Sequence, residues 1–206
     1  ESSQQEKLEL GPDIGEPAWI YLSSTGERSL AFHKQIEKHL AEHPGIKLAF
    51  QPGTFQMKMG KEKLRGIYRR ADVFLANREE AHKISGYRGK EIKKLLDAVH
   101  VLGPKIVVVT DGKDGAYVKE NGKYWFMPPY PDIKPPFERT GAGDAFSATF
   151  VSALAHGHDI ATALRWAPIN SMSVVQHIGA RAGLLSQPEL ERYLRRAPAG
   201  YKPKKI

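Results

Sequence analysis

The run Lys105-Ile106-Val107-Val108-Val109-Thr110 restricts the fold more than any other part of the chain. It is β-branched and nearly all apolar, the composition of a parallel strand covered on both faces rather than of a strand with one wet side. Shorter runs of the same kind precede it at Ala18 to Leu22, Ile46 to Phe50 and Val73 to Ala76. Helical patterns lie between them. Leu30, Phe32, Ile36 and Leu40 are spaced for a helix from about Ser29 to Glu42, and Pro44-Gly45 stops it. Further helices are expected near Lys61 to Arg70, Arg78 to Ile84 and Glu91 to Leu102. Repeated strand, helix, strand order predicts an α/β fold: one domain with an open, mostly parallel sheet and helices on both faces.

Ligands of such sheets bind beyond the carboxyl ends of the strands, so the residues there carry the functional argument. The strand at Val73 ends in Asn77-Arg78-Glu79-Glu80. Asn77 suits a helix cap with Glu80 as its capping-box partner, and it equally suits a polar pair at a strand end. The strand at Ile106 ends in Thr110-Asp111-Gly112-Lys113-Asp114-Gly115. A calcium loop would need an oxygen ligand where Lys113 stands, and the segment is read as a tight turn rather than a calcium loop. That turn leads into a hairpin, Ala116 to Glu120 against Lys123 to Met127 across Asn121-Gly122.

Beyond a Pro-rich stretch from Pro128 to Pro136 comes Arg139-Thr140-Gly141-Ala142-Gly143-Asp144-Ala145-Phe146. The prolines rule out regular structure before it, and an apolar helix is expected after it, through Phe150 and Leu154. Gly141 and Gly143 permit a tight turn with converging amides. The first helical turn adds unpaired N–H donors and partial positive charge, which together make an anion hole. Asp144 would stand beside the anion, placed to take a proton from an attacking hydroxyl, or would simply cap the helix. A Walker loop needs Lys and then Ser or Thr after the last glycine, and Asp144-Ala145 follow instead. A dinucleotide fingerprint needs a small residue where Phe146 stands.

Gly141, Ala142, Gly143, Asp144 and Phe146 resemble the second signature of the PfkB carbohydrate kinases, the ribokinase-like family, with Glu138 and Arg139 in place of its usual Asp and Thr. The resemblance implies that Asp144 is the catalytic base and that the Gly141, Ala142 and Gly143 amides form the anion hole. Asn77 and Glu80 match the family's Asn-x-x-Glu motif, which implies a role in organising Mg²⁺. Thr110, Gly112 and Gly115 match its Thr-x-Gly-x-x-Gly turn along the phosphates and ribose of ATP. The region after the Asp144 helix, a helical stretch from Ile160 to Gln176 interrupted near Pro168, implies adenine contacts for Asn170, His177, Gly179 and Ala180; ordinary helix packing explains these residues equally well. A last helix is expected from Pro188 to Arg195.

The resemblance extends from about Trp19 to Arg195 and reads as the C-terminal two thirds of such a kinase, since the sugar motif and β lid of the first third are not recognisable before Ala18. It implies phosphoryl transfer from Mg·ATP to a hydroxyl of a sugar, sugar phosphate or nucleoside, a cytoplasmic protein, and a homodimer where the lid is present. The alternative is a non-catalytic nucleotide-binding or scaffold fragment of the same fold.

Composition narrows the other classes. With 206 residues, 41% hydrophobic and 26% charged, the chain can bury a sizeable core. No apolar run approaches the about 20 residues of a membrane span, so no membrane partner is expected. Zero cysteines exclude disulfides and thiolate metal sites. The net charge of +8 and pI near 9.5 raise nucleic-acid binding, with the basic tail Tyr201 to Ile206 as a candidate. Acids are interspersed among the basic residues, and no dedicated nucleic-acid partner is expected. His156, His158 and Asp159 lack a local third ligand, as do His39 and His43, so neither pair is read as a metal site.

Overall fold

The computed structural model describes residues 8–11, 14–179 and 181–206. Contacts group the chain into two compact units that meet at Val108 and Val109, inside the strand the sequence marks most strongly. Seven strands follow one another in chain order in an open sheet that is mixed, with parallel pairing early and antiparallel pairing late.

The first unit begins with β1 (Trp19–Leu22), α1 (Leu30–Glu42) and β2 (Lys47–Phe50). α2 (Thr54–Met59), α3 (Arg65–Arg70), β3 (Val73–Asn77), α4 (Arg78–Ser85) and α5 (Ile92–His100) follow. β1 and β2 run parallel with Trp19 opposite Lys47 and Leu22 opposite Phe50, and β2 and β3 run parallel with Phe50 opposite Phe74. Phe50 and Phe74 are fully excluded from solvent, and the Tyr68 ring of α3 meets Phe50 edge-on at 5.3 Å between centroids. The helix expected near Lys61 to Arg70 is α3, which starts at Arg65, and α2 precedes it where no helix was expected. Gly60 takes a positive φ of 85° after α2, which ends that helix before α3 starts.

Two buried polar networks hold this unit. Asp72 Oδ2 accepts from the Leu48 N–H at 2.9 Å and from Arg70 at 3.1 Å, and Oδ1 accepts from Lys105 at 2.7 Å. Arg70 also donates to the Pro44 and Ile46 carbonyls. Burial alone would raise the Asp72 carboxyl, and these donors outweigh it, leaving the group below its ordinary range. At the other network, buried His33 donates from Nδ1 to the Ser29 carbonyl at 2.6 Å. Gln56 Oε1 accepts from the Gly53 and Thr25 amides, which fixes Gln56 Nε2 as the donor to the Ser23 carbonyl and to His33 Nε2.

The second unit takes up the end of β4 (Ile106–Thr110), then β5 (Ala116–Glu120) and β6 (Lys123–Met127). The hairpin has the expected bounds. Asn121 and Gly122 have φ of 47° and 72°, the left-handed pair that a two-residue turn between right-twisted strands requires. α6 (Ala142–Ala155) packs on α7 (Ile160–Val174), and α8 (Gln187–Arg195) packs on α7. α7 continues through Pro168, where the sequence predicts an interruption. Ala163, Leu164, Ala167, Ile169 and Pro168 itself are buried, and that packing offsets the one helical hydrogen bond the ring removes.

The basic tail is structured. Lys204–Lys205 form β7, antiparallel to β6, and the Tyr201 hydroxyl donates to the Arg165 carbonyl at 2.6 Å. Tyr201 also meets Tyr130 edge-on at 4.9 Å.

Candidate active site

The second unit contains a cavity of about 280 Å³ formed where the turn after β4 faces the start of α6. Thr110, Gly112 and Gly115 line it from one side, and Ala142 and Gly143 from the other. The turn has a local cause. The Asp111 N–H donates to the Gly115 carbonyl at 2.8 Å, and Asp114 and Gly115 donate back to Asp111 and Gly112. Gly115 has a φ of 94°, and a Cβ there would lie 2.4 Å from the Met127 carbonyl oxygen, so the turn can close on the β6 strand only with glycine.

At the facing edge Gly141 caps α6 with a φ of 81°, and the Ala145 N–H donates to its carbonyl at 2.8 Å. The Ala142 N–H reaches back to the Arg139 carbonyl at 3.4 Å, and the Gly143 and Asp144 N–H groups fall in the first turn, where no helical acceptor exists. A Cβ on Gly143 would meet nothing within 4 Å, so the space beside its Cα is open to the cavity it lines. Asp144 is exposed in the same turn, one residue from Gly143, and does not line the cavity. Lys113 and Arg139 line it too. Neither makes an ion pair or side-chain hydrogen bond among the described residues, which leaves two cations beside a helix N-terminus.

The remaining residues singled out in the sequence fall outside this cavity. Asn170 is buried, donating to Thr149 Oγ1 at 2.7 Å and accepting from the Leu185 N–H at 2.9 Å, so its amide fastens α7 to α6 and to the segment after it. Its helix neighbours Pro168, Ser171, Met172 and Val175 supply that wall of the cavity instead. His177 donates to the Ser173 carbonyl at 3.0 Å. The Gly179 N–H donates to Glu138 Oε1 at 3.0 Å and the Phe137 N–H to the Val175 carbonyl at 2.7 Å, so His177 and Gly179 belong to a clasp between the end of α7 and the entry to α6. Ala180 lies outside the described residues. In the first unit, Asn77 and Glu80 form a reciprocal capping box at the start of α4, each side chain accepting the other's N–H at 2.9 Å. Among the described residues no group of three or more His, Asp or Glu stands together to hold a metal.

A family model described as pfkB family carbohydrate kinase matches residues 18–187. The chain belongs to the pfkB family. Among curated relatives, a ribokinase of Bacillus subtilis is 38% identical over 93 residues, covering 45% of this chain and 31% of its own. A cytidine kinase of Thermococcus kodakarensis is 32% identical over 107 residues, covering 51% and 37%. The fold of Arabidopsis thaliana ribokinase, solved with ribose and ATP, matches with a TM-score of 0.73 at 21% identity, covering 86% of this chain and 56% of that one. The chain therefore spans well under two thirds of the length of each of these proteins.

Against the pfkB signature, this chain's departures have defined places. Glu138 holds the Gly179 amide, and Arg139 turns to the cavity. The sequence marked Lys113 only as an obstacle to calcium and Arg139 only as a departure from the family signature, and gave neither a place in the cavity that both line. Tyr130 was missed as well; it lines the cavity, and its hydroxyl donates to the Tyr193 carbonyl at 3.1 Å.

Proposed function

We propose that this protein transfers the γ-phosphoryl group of ATP to a hydroxyl of a sugar, sugar phosphate or nucleoside. One observation carries the reading: a single cavity is bounded by the Thr110 to Gly115 turn, by the open face of Gly143 at a helix start, and by two cations without carboxylate partners. Such a place suits a chain of phosphates. In this reading Lys113, Arg139 and the turn orient the phosphates. The amides of Ala142 and Gly143 stabilise the charge on the transferring group, and Asp144 accepts the proton of the acceptor hydroxyl. The acceptor oxygen forms its bond to the γ-phosphorus as the bond to the β,γ-bridging oxygen breaks, and ADP leaves.

The residues fit Mg²⁺ as that ion is usually held. It keeps most of its waters and takes few carboxylates, so a full protein cage is not required. Asn77 and Glu80 are the residues proposed for it. One Glu80 oxygen is engaged in the capping box, and a carboxylate has about four acceptor sites, which leaves capacity for a metal-bound water. The ion would supply charge neutralisation on the phosphates.

The test is ADP release from Mg·ATP over a panel of sugars, sugar phosphates and nucleosides, with Asp144→Asn alongside. Acceptor-dependent turnover that falls about 10²- to 10⁴-fold in Asp144→Asn, with ATP affinity retained, is the expected result. ATP binding without turnover on any acceptor would replace the kinase reading with that of a nucleotide-binding module, and equal turnover by wild type and Asp144→Asn would remove Asp144 as base.

A further inference from the structure

Within the first unit, α4 and the loop to α5 border an open, shallow groove of about 610 Å³ that the kinase reading does not use. Its lining is basic: Arg78, Lys83, Arg88 and Lys90, with His82 and Tyr87 and no carboxylate. Among the described residues Lys83, Arg88 and Lys90 make no ion pair, whereas the next helix neutralises Lys94 with Glu91 at 2.7 Å. Like charges gathered in one concavity repel one another, and an anion relieves that repulsion.

The walls are fixed by side chains that the loop orders for itself. Arg78 donates to the Lys90 carbonyl at 2.7 Å, tying the first turn of α4 to the far end of the loop. His82 donates from Nδ1 to the Tyr87 carbonyl at 2.7 Å, and its ring stacks on Tyr87 at 5.9 Å with an interplanar angle of 12°. Gly86 reverses the chain with a φ of 78°, and a Cβ on Gly89 would lie 2.1 Å from the Tyr87 hydroxyl, so the tyrosine lies flat over glycine. The exposed Lys83, Arg88 and Lys90 side chains thus project from a tethered backbone, with no acid paired to them among the described residues.

We infer that this groove is a second anion site, which takes a compact ligand carrying two or more phosphate groups. The short span from Arg78 to Lys90 and the single-sided, concave lining favour a small polyphosphate over an extended nucleic-acid strand, which needs a longer basic track and exposed stacking faces.

Tripolyphosphate is the probe, titrated into the full chain while backbone amide resonances are followed, with K83A/R88A/K90A and the milder Arg88→Gln as comparison proteins. All three substituted side chains are cations at the groove and lie outside the ATP cavity. Shifts at residues 83–90, saturating separately from those at 110–115 and 139–146, are expected in the wild type. The affinity of the 83–90 set should fall about tenfold in Arg88→Gln and further in the triple variant, in line with loss of charge-assisted contacts. Shifts confined to 110–115 and 139–146, or an 83–90 affinity unchanged in Arg88→Gln, would overturn the inference. So would a single-stranded oligonucleotide that binds the 83–90 set more tightly than tripolyphosphate does.

Discussion

Gly115 and Gly143 line the same phosphate-sized space and are glycine for opposite reasons. Gly115 has a φ of 94° and the Met127 carbonyl 2.4 Å from where a Cβ would go, so Gly115→Ala must displace backbone. A loss of about 2–4 kcal/mol is expected, read as a lower denaturant midpoint. Gly143 sits in helical backbone with empty space before it. Gly143→Ala should leave the midpoint within about 0.5 kcal/mol of wild type, or raise it, and weaken ATP binding because the methyl enters the cavity. Equal stability loss in both variants would contradict this division. From the sequence the two are indistinguishable, since each is a glycine in a motif; what separates them is the partner strand at Met127, remote in the chain. Asn170 gives the same lesson, because its two hydrogen-bond partners, Thr149 and Leu185, lie on other segments.

Elements whose cause is local were legible: β4 from its β-branched run, the β5–β6 turn from Asn121-Gly122, and the α4 capping box from Asn77 and Glu80. Elements whose cause is remote were not. The start of α2 is held by a Gln56 network with Ser23, Thr25 and His33, and α7 continues past Pro168 within buried packing. The same dependence governs the start of β2, β3 and β4, which Asp72 joins through the Leu48 amide, Arg70 and Lys105. Asp72→Ala should cost about 2–3 kcal/mol, mostly by leaving the buried Leu48 N–H and Arg70 without their acceptor. Lys105→Ala should cost under about 1 kcal/mol, since that side chain is 72% exposed and its pairing is screened. Urea unfolding of the two variants decides the ranking, and a larger loss in Lys105→Ala would refute it.

For the molecule as a whole, acid stability should fall in two stages. Burial holds the His33 imidazole below its ordinary value, so the unfolded chain binds that proton more readily. The neutral His33 network therefore contributes fully above about pH 6.5, and its contribution is lost as pH drops below that. Asp72 is also held below its ordinary value, by donors that outweigh the opposing effect of burial, and its contribution is present above about pH 4 and disappears as pH falls through its folded value. Denaturant midpoints measured from pH 8 downward should show the first decline near neutrality, and His33→Gln should remove it while leaving the second. A wild-type profile flat between about pH 7 and 5 would exclude the role given to His33.

The closing residues bear on behaviour at high concentration. β6, Lys123–Met127, carries Tyr124, Trp125 and Phe126 in succession, and a bare strand of that composition would template pairing with a neighbouring chain. β7 covers it with two residues, both lysines, after Pro203, and the Lys205 ammonium lies 5.4 Å from the centre of the Trp125 ring. β7 itself is short and cationic, and it follows a residue with no N–H to offer, so it is a poor template for pairing with another chain.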